Sequence, residues 1–153
     1  MRRSEDVEAK QDLFCGASGV LIALLATAMT PFTCHVIRVH DGDGPLWCRT
    51  GERIRIAGIQ APDFENAAPC RRPARQRRAL RCDDRAAARS QRLVSALVLN
   101  KRIRCQPVDT SYGRIVARCT LPDGRSLACA AIAAGAAVRW DRYWQINGMG
   151  KCR

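Results

Sequence analysis

Cys34-His-Val-Ile-Arg-Val-His40, Asp41-Gly-Asp-Gly-Pro45, Leu46-Trp-Cys48 and Glu52 to Ile59 follow one another almost without interruption, and this run decides the fold. The first piece alternates weakly and is rich in β-branched residues, as a half-buried strand is. Two glycines and a proline then break it with a tight turn. Leu46–Cys48 and Glu52–Ile59 read as two further strands, separated at Thr50-Gly51. The period of two puts Ile54, Ile56 and Gly58 on one face of the latter, and Arg53, Arg55 and Ala57 on the other.

Further along, residues 66–82 read as a loop containing Pro69, Pro73 and a run of arginines. Asp83-Asp84 offers a helix cap. Apolar residues at 86, 87, 93, 94, 97 and 98 then recur at helical spacing as far as Leu99. Lys101–Val108 and Ile115–Leu121 read as strands around Ser111-Tyr-Gly-Arg114, and Pro122-Asp-Gly124 as a turn. Leu127 to Ala134 reads as a small helix closed by Gly135 in a left-handed cap. The order β-β-β-α-β-β-α predicts a β-rich α+β domain: a five-stranded OB-fold Greek-key barrel with flanking helices. There are no internal repeats.

Composition agrees with one folded domain. The chain has 153 residues, 47% hydrophobic and 26% charged, which excludes a disordered or low-complexity protein. Lys and Arg number 26 against 14 Asp and Glu, a net charge of +12. That surplus favours a polyanion, either nucleic acid or an anionic membrane surface, without choosing between them.

Leu13 to Phe32 carries no charge, and Ala26-Thr27-Ala28 has the small-x-small form that signal peptidase accepts. Residues 1–28 are therefore expected to be a secretory signal, leaving a domain at 29–153 in a secreted or periplasmic setting. The alternative is an uncleaved membrane anchor through residues 13–32. Glu5, Asp6, Glu8 and Asp12 are atypical for a signal.

There are nine cysteines. Losing Cys15 with the leader leaves an even set, spread over the domain, with no C-x-x-C pair to suggest structural zinc. In an oxidising compartment they can form up to four disulfides; buried free thiols are the other reading. Sequence alone allows about a hundred pairings. If the hairpins form, Cys34 and Cys48 flank one turn and Cys105 and Cys119 another. Cys70 with Cys82 and Cys129 with Cys152 would then remain.

Three segments, His40-Asp-Gly-Asp-Gly44, Ile54-Arg-Ile-Ala-Gly-Ile-Gln-Ala-Pro-Asp63 and Ser111-Tyr-Gly-Arg114, occur in an order and spacing that resembles the staphylococcal-nuclease-like (thermonuclease) family. Asp123-Gly-Arg-Ser-Leu through Ala133-Ala-Gly135 resembles the family's turn and helix after the barrel. The likeness covers roughly residues 33–140. It implies calcium-dependent hydrolysis of DNA and RNA phosphodiesters with low sequence preference. By the same resemblance Asp43 is a metal carboxylate, joined by Gln60, the backbone carbonyl of Ala61 and, as an additional candidate, Asp41. Arg55 and Arg114 would hold the scissile phosphate, and Asp63 would act through the attacking water. The residue types suit that chemistry, since hard Ca²⁺ needs oxygen ligands and a phosphorane needs fixed positive charge, which guanidinium supplies.

Three positions depart from the family pattern. Gln60 stands for a carboxylate, which weakens a calcium site. Asp63 stands for a glutamate, moving the carboxylate by about 1.5 Å, a displacement that can lower rate about a hundredfold. Gly44 stands for a threonine. Each site residue also has a structural reading. The Asp41–Gly44 segment can be a hairpin turn only, Arg55 a strand residue paired with a barrel carboxylate, and Arg114 a solvated turn residue. His35 and His40 are assigned to surface or packing.

Residues 71–92 hold nine arginines against Asp83 and Asp84. Arg71, Arg72, Arg75, Arg77 and Arg78, with Tyr112, are the expected nucleic-acid contacts, the arginines tracking a phosphate backbone; a merely solubilising charge run is the alternative. Trp140-Asp-Arg-Tyr-Trp144 can stack bases, but closing the bottom of the barrel is preferred. Two other functions compete with a nuclease. One is a non-catalytic OB-fold module that binds nucleic acid, and the other is a membrane-tethered domain whose basic face meets lipid or cell-wall polyanions.

Overall fold

The computed structural model describes residues 29–73 and 81–152. The leader at 1–28 and the loop arginines Arg75, Arg77 and Arg78 lie outside the described residues.

Five strands close into a barrel in the order β1-β2-β3-β6-β5. They are β1 (Phe32–Val39), β2 (Leu46–Cys48), β3 (Arg53–Ile56), β5 (Arg102–Ser111) and β6 (Arg114–Thr120), and β4 (Ile59–Gln60) lies outside the barrel. All pairings round the barrel are antiparallel except β3 with β6, where Ile54, Arg55 and Ile56 face Ile115, Val116 and Ala117 in parallel. The period of two read from the sequence sets the burial: Ile54 and Ile56 are enclosed, whereas Arg53 is exposed and Arg55 partly so. Val36, Leu46, Ile103 and Leu127 join the isoleucines in the core.

Helix α1 (Asp84–Val98) begins at Asp83, whose side chain accepts from the Ala86 N–H. It buries Ala87, Ser90, Val94 and Val98, positions spaced by three and four residues on one stripe. Ser90 Oγ donates to the Ala136 carbonyl. Helix α2 (Leu127–Ala133) starts at the Ser126 cap and ends before Gly135, at φ +70°.

The four disulfides are Cys34–Cys48, Cys70–Cys82, Cys105–Cys119 and Cys129–Cys152. They are the pairs the two hairpins and the remainder suggested. A set of this kind is what an oxidising compartment sustains. Among the described residues no helix is long and apolar enough to cross a membrane.

Several expectations need correction. The strand expected over Glu52–Ile59 ends at Ile56, because Gly58 takes φ +74° and re-aims the chain. The remainder forms β4, which pairs antiparallel with β7 (Val138–Arg139) outside the barrel. Neither β7 nor α3 (Asp141–Ile146) was expected. Both are too short for a periodic pattern to show. Strand β5 continues to Ser111, beyond the expected Val108, with a register shift between Pro107 and Asp109. Such a bulge accommodates the missing N–H of a strand proline.

Candidate active-site cleft

The β1–β2 turn brings the first two carboxylates to the rim of the barrel. Asp41 Oδ1 accepts the N–H groups of Asp43 at 3.1 Å and Gly44 at 2.9 Å, closing the turn with its own side chain. Gly44 has φ +116°, and a Cβ there would lie 2.4 Å from the Ile54 carbonyl oxygen. Glycine at this position is therefore dictated by the closeness of β3. Gly42 is constrained from the other side, since a Cβ would lie 1.7 Å from Ser90 Oγ. The turn is thus held between β3 and α1.

On β3, Arg55 reaches Asp43. Its Nη1 is 2.6 Å from Asp43 Oδ1, with side-chain exposures of 15% and 11%, so this ion pair is largely desolvated. Asp43 Oδ2 accepts the Ala61 N–H at 3.0 Å, and Arg55 Nη2 donates to the Ile59 carbonyl at 3.3 Å. Burial works against the Arg55 charge, but Asp43, joined by Asp41 and Asp63, holds the guanidinium above its usual pKa.

Asp63 is fixed by its main chain. Its N–H donates to the Arg81 carbonyl and its carbonyl accepts the Asp83 N–H, so the segment beside Cys82 runs parallel to it. The half-buried Asp63 carboxyl is raised above its usual range by burial and then by Asp43, against the pull of Arg55 and Arg114. Asp41 is pushed up to about 8 by burial, and after that by the charge of Asp43.

Arg114 follows the two-residue turn Tyr112-Gly113, where φ is +50° and +71°. These are the left-handed values that a right-twisted hairpin requires. Arg114 Nε donates to the Ser111 carbonyl at 3.2 Å. Its pKa is lowered by burial and by the nearby Arg55 charge.

Asp41, Asp43, Arg55, Gln60, Asp63, Arg72, Tyr112 and Arg114 all line one cleft of about 780 Å³. Ala61 meets this group through its N–H. Tyr112 stands at the rim, 84% exposed. Arg71 is exposed and is not part of the lining. Among the described residues no group of three or more His, Cys, Asp and Glu side chains is disposed to hold a metal ion.

One wall comes from the Trp140–Trp144 segment, for which closing the barrel was the preferred expectation and base stacking the alternative. Trp140 and Tyr143 line the cleft, meeting edge to face at 4.3 Å, and the Arg55 guanidinium lies 5.8 Å from the Trp140 ring centre. Only Trp144 turns inward to the core. The aromatic cluster is therefore divided between core and cleft, instead of closing the barrel as one unit. Trp140 is the residue that precedes α3 and Tyr143 lies in its first turn, so their spacing of three was the available signal for the contact.

No model of a known protein family matches the chain, and none of the curated proteins searched matches it.

Proposed function

We propose that this chain is an exported nuclease that hydrolyses DNA and RNA phosphodiester bonds with low sequence preference, on an OB-type Greek-key barrel resembling the staphylococcal-nuclease-like family. The observation that carries this reading is the convergence of Asp43, Arg55, Asp63 and Arg114, from four separate segments, on one cleft. The barrel order with its parallel β3–β6 pair supports the OB assignment. The β1–β2 and β5–β6 loops that frame the cleft correspond to the loops with which OB barrels bind oligonucleotides.

Two guanidinium groups facing a partly desolvated cleft suit a phosphodiester and the extra charge that develops on it during attack. Asp63, whose carboxyl is raised above its usual range by burial, suits a general base drawing the proton from an attacking water. Burial, and then the charge of Asp43, disfavour negative charge on Asp41 and Asp63 in the absence of a cation. A hard cation such as calcium would draw on oxygen donors from Asp41, Asp43, Gln60 and the Ala61 carbonyl, and would compete with Arg55 for Asp43. Bound calcium would polarise a phosphate oxygen as a Lewis acid. The third donor is an amide instead of a carboxylate, so affinity is expected to be low.

A second reading, a non-catalytic module that binds nucleic acid, is favoured by the Arg55–Asp43 ion pair, in which the phosphate-binding group and the metal carboxylate satisfy each other. The test is hydrolysis of denatured DNA and of RNA by residues 29–153, with millimolar calcium and with chelator. Calcium-dependent cleavage supports the nuclease. Salt-sensitive binding without cleavage overturns it in favour of the second reading. Retention in the membrane fraction of cells making the full chain would overturn release in favour of an anchor at residues 13–32.

A further inference from the structure

Beyond the cleft, the surface has a second concavity of about 460 Å³, between the outward face of α1 and the turn at Gly135-Ala136. Pro62 and Arg81 form its near end, and Arg85, Arg89 and Arg92 line it. The two hollows are neighbours: Pro62 borders this trough, Asp63 borders the cleft, and Asp63 is bonded through its main chain to Arg81 and Asp83.

Helix geometry explains the line of charge. Ala87, Ser90, Val94 and Val98 bury one stripe of α1, which leaves positions 85, 89 and 92 on the outer side. Steps of four and three residues keep the three arginines on one face, and at 1.5 Å per residue they span roughly 10 Å. A nucleic-acid strand carries one phosphate per nucleotide, and long side chains spread along the row let each of the three guanidinium groups meet a phosphate of one strand. Arg85, Arg89 and Arg92 are exposed, and none of them has an ion-pair partner among the described residues. Three unpaired guanidinium groups along a trough also lined by Pro62, Ala86 and Ala136, with Asp83 its single carboxylate, leave a net positive lining complementary to an extended polyanion and little that could read bases.

We propose that this trough is a second, non-catalytic docking site for the phosphodiester backbone of a nucleic-acid strand that continues out of the cleft past Pro62. The inference rests on the nucleic-acid reading of the cleft. It makes the domain a binder of long strands, with Arg85, Arg89 and Arg92 contributing affinity and no chemistry.

The test compares the wild-type domain with Arg85→Ala/Arg89→Ala/Arg92→Ala and with Arg49→Ala/Arg102→Ala/Arg104→Ala, a control with equal charge loss on exposed sites elsewhere. Alanine favours the helix at these outward positions, and circular dichroism with thermal melting verifies that both variants fold. Binding of a single-stranded 30-mer and of a dinucleotide is measured across a salt series. The trough variant should bind the 30-mer about tenfold more weakly at low salt, with a salt slope shallower by about 2, the value for three phosphate contacts on a single strand. The dinucleotide should bind unchanged. Equal weakening by the control variant overturns the proposal, as does unchanged 30-mer binding. Loss of dinucleotide binding to wild type overturns the cleft reading separately. Binding of phosphatidylserine vesicles in place of the 30-mer, lost in the trough variant, overturns both in favour of a lipid surface.

Discussion

Asp41→Asn isolates the charge of a strongly perturbed group in the cleft. The amide retains Oδ1, which accepts the Asp43 and Gly44 N–H groups at 3.1 and 2.9 Å, so the turn is preserved and only the negative charge is lost. Burial, followed by the field of Asp43, pushes the Asp41 carboxyl from 3.8 up to about 8. A group whose folded pKa lies above its unfolded value binds its proton more tightly in the native state. Its stabilising contribution is therefore complete below pH 3.8 and is lost as the pH rises through about 8. At about 1.4 kcal/mol per unit, the whole interval is worth on the order of 6 kcal/mol. Local relaxation and water penetration reduce such burial penalties, so a measured difference of about 2 kcal/mol or more is expected. Denaturant unfolding of the disulfide-intact domain in chelator, at pH 4, 6 and 8, is the assay. The variant should match wild type near pH 4 and exceed it increasingly towards pH 8. Millimolar calcium at pH 8 should then narrow the gap by stabilising wild type more. A difference that stays constant from pH 4 to pH 8 would refute the reasoning, because Asp41 would then titrate alike in both states.

Arg114→Ala should abolish turnover while shifting the melting temperature by only a few degrees, since the side chain makes a single hydrogen bond, to Ser111; a collapse in melting temperature would show that it is a structural residue. Gln60→Asp combined with Asp63→Glu should raise calcium affinity and the rate of cleavage; unaltered kinetics in the double variant would mean that the donor set lies elsewhere. Cys70→Ser/Cys82→Ser opens a loop with a sequence separation of 12. It should lower stability by about 3 kcal/mol and reduce activity further by releasing the segment bonded to Asp63, as a thermal melt and the cleavage assay would each report.

The elements legible in the sequence are those with a local cause. The alternation in β3, the Asp83 cap of α1, the spacing of Ala87, Val94 and Val98, and the Gly135 cap each follow from backbone geometry within a turn or two. Hairpin symmetry likewise brought Cys34 to Cys48 and Cys105 to Cys119. The short elements β7 and α3 carry too few residues for a period, and the division of the Trp140–Trp144 aromatics between core and cleft was lost with them.

Sequence by itself determined a β-rich domain with one helix between strands and another after them, a disulfide framework and a concentration of arginine over residues 71–92. Only the tertiary structure decided which charges meet. Residues 43, 55, 63 and 114 are brought together by barrel closure and the parallel β3–β6 register. Residues 85, 89 and 92 are turned away from the cleft because the opposite stripe of α1 is buried. The difference has a physical reason. Periodicity records whether a side chain faces core or solvent, whereas an ion pair such as Arg55 with Asp43 depends on the crossing of segments whose separation no local pattern encodes.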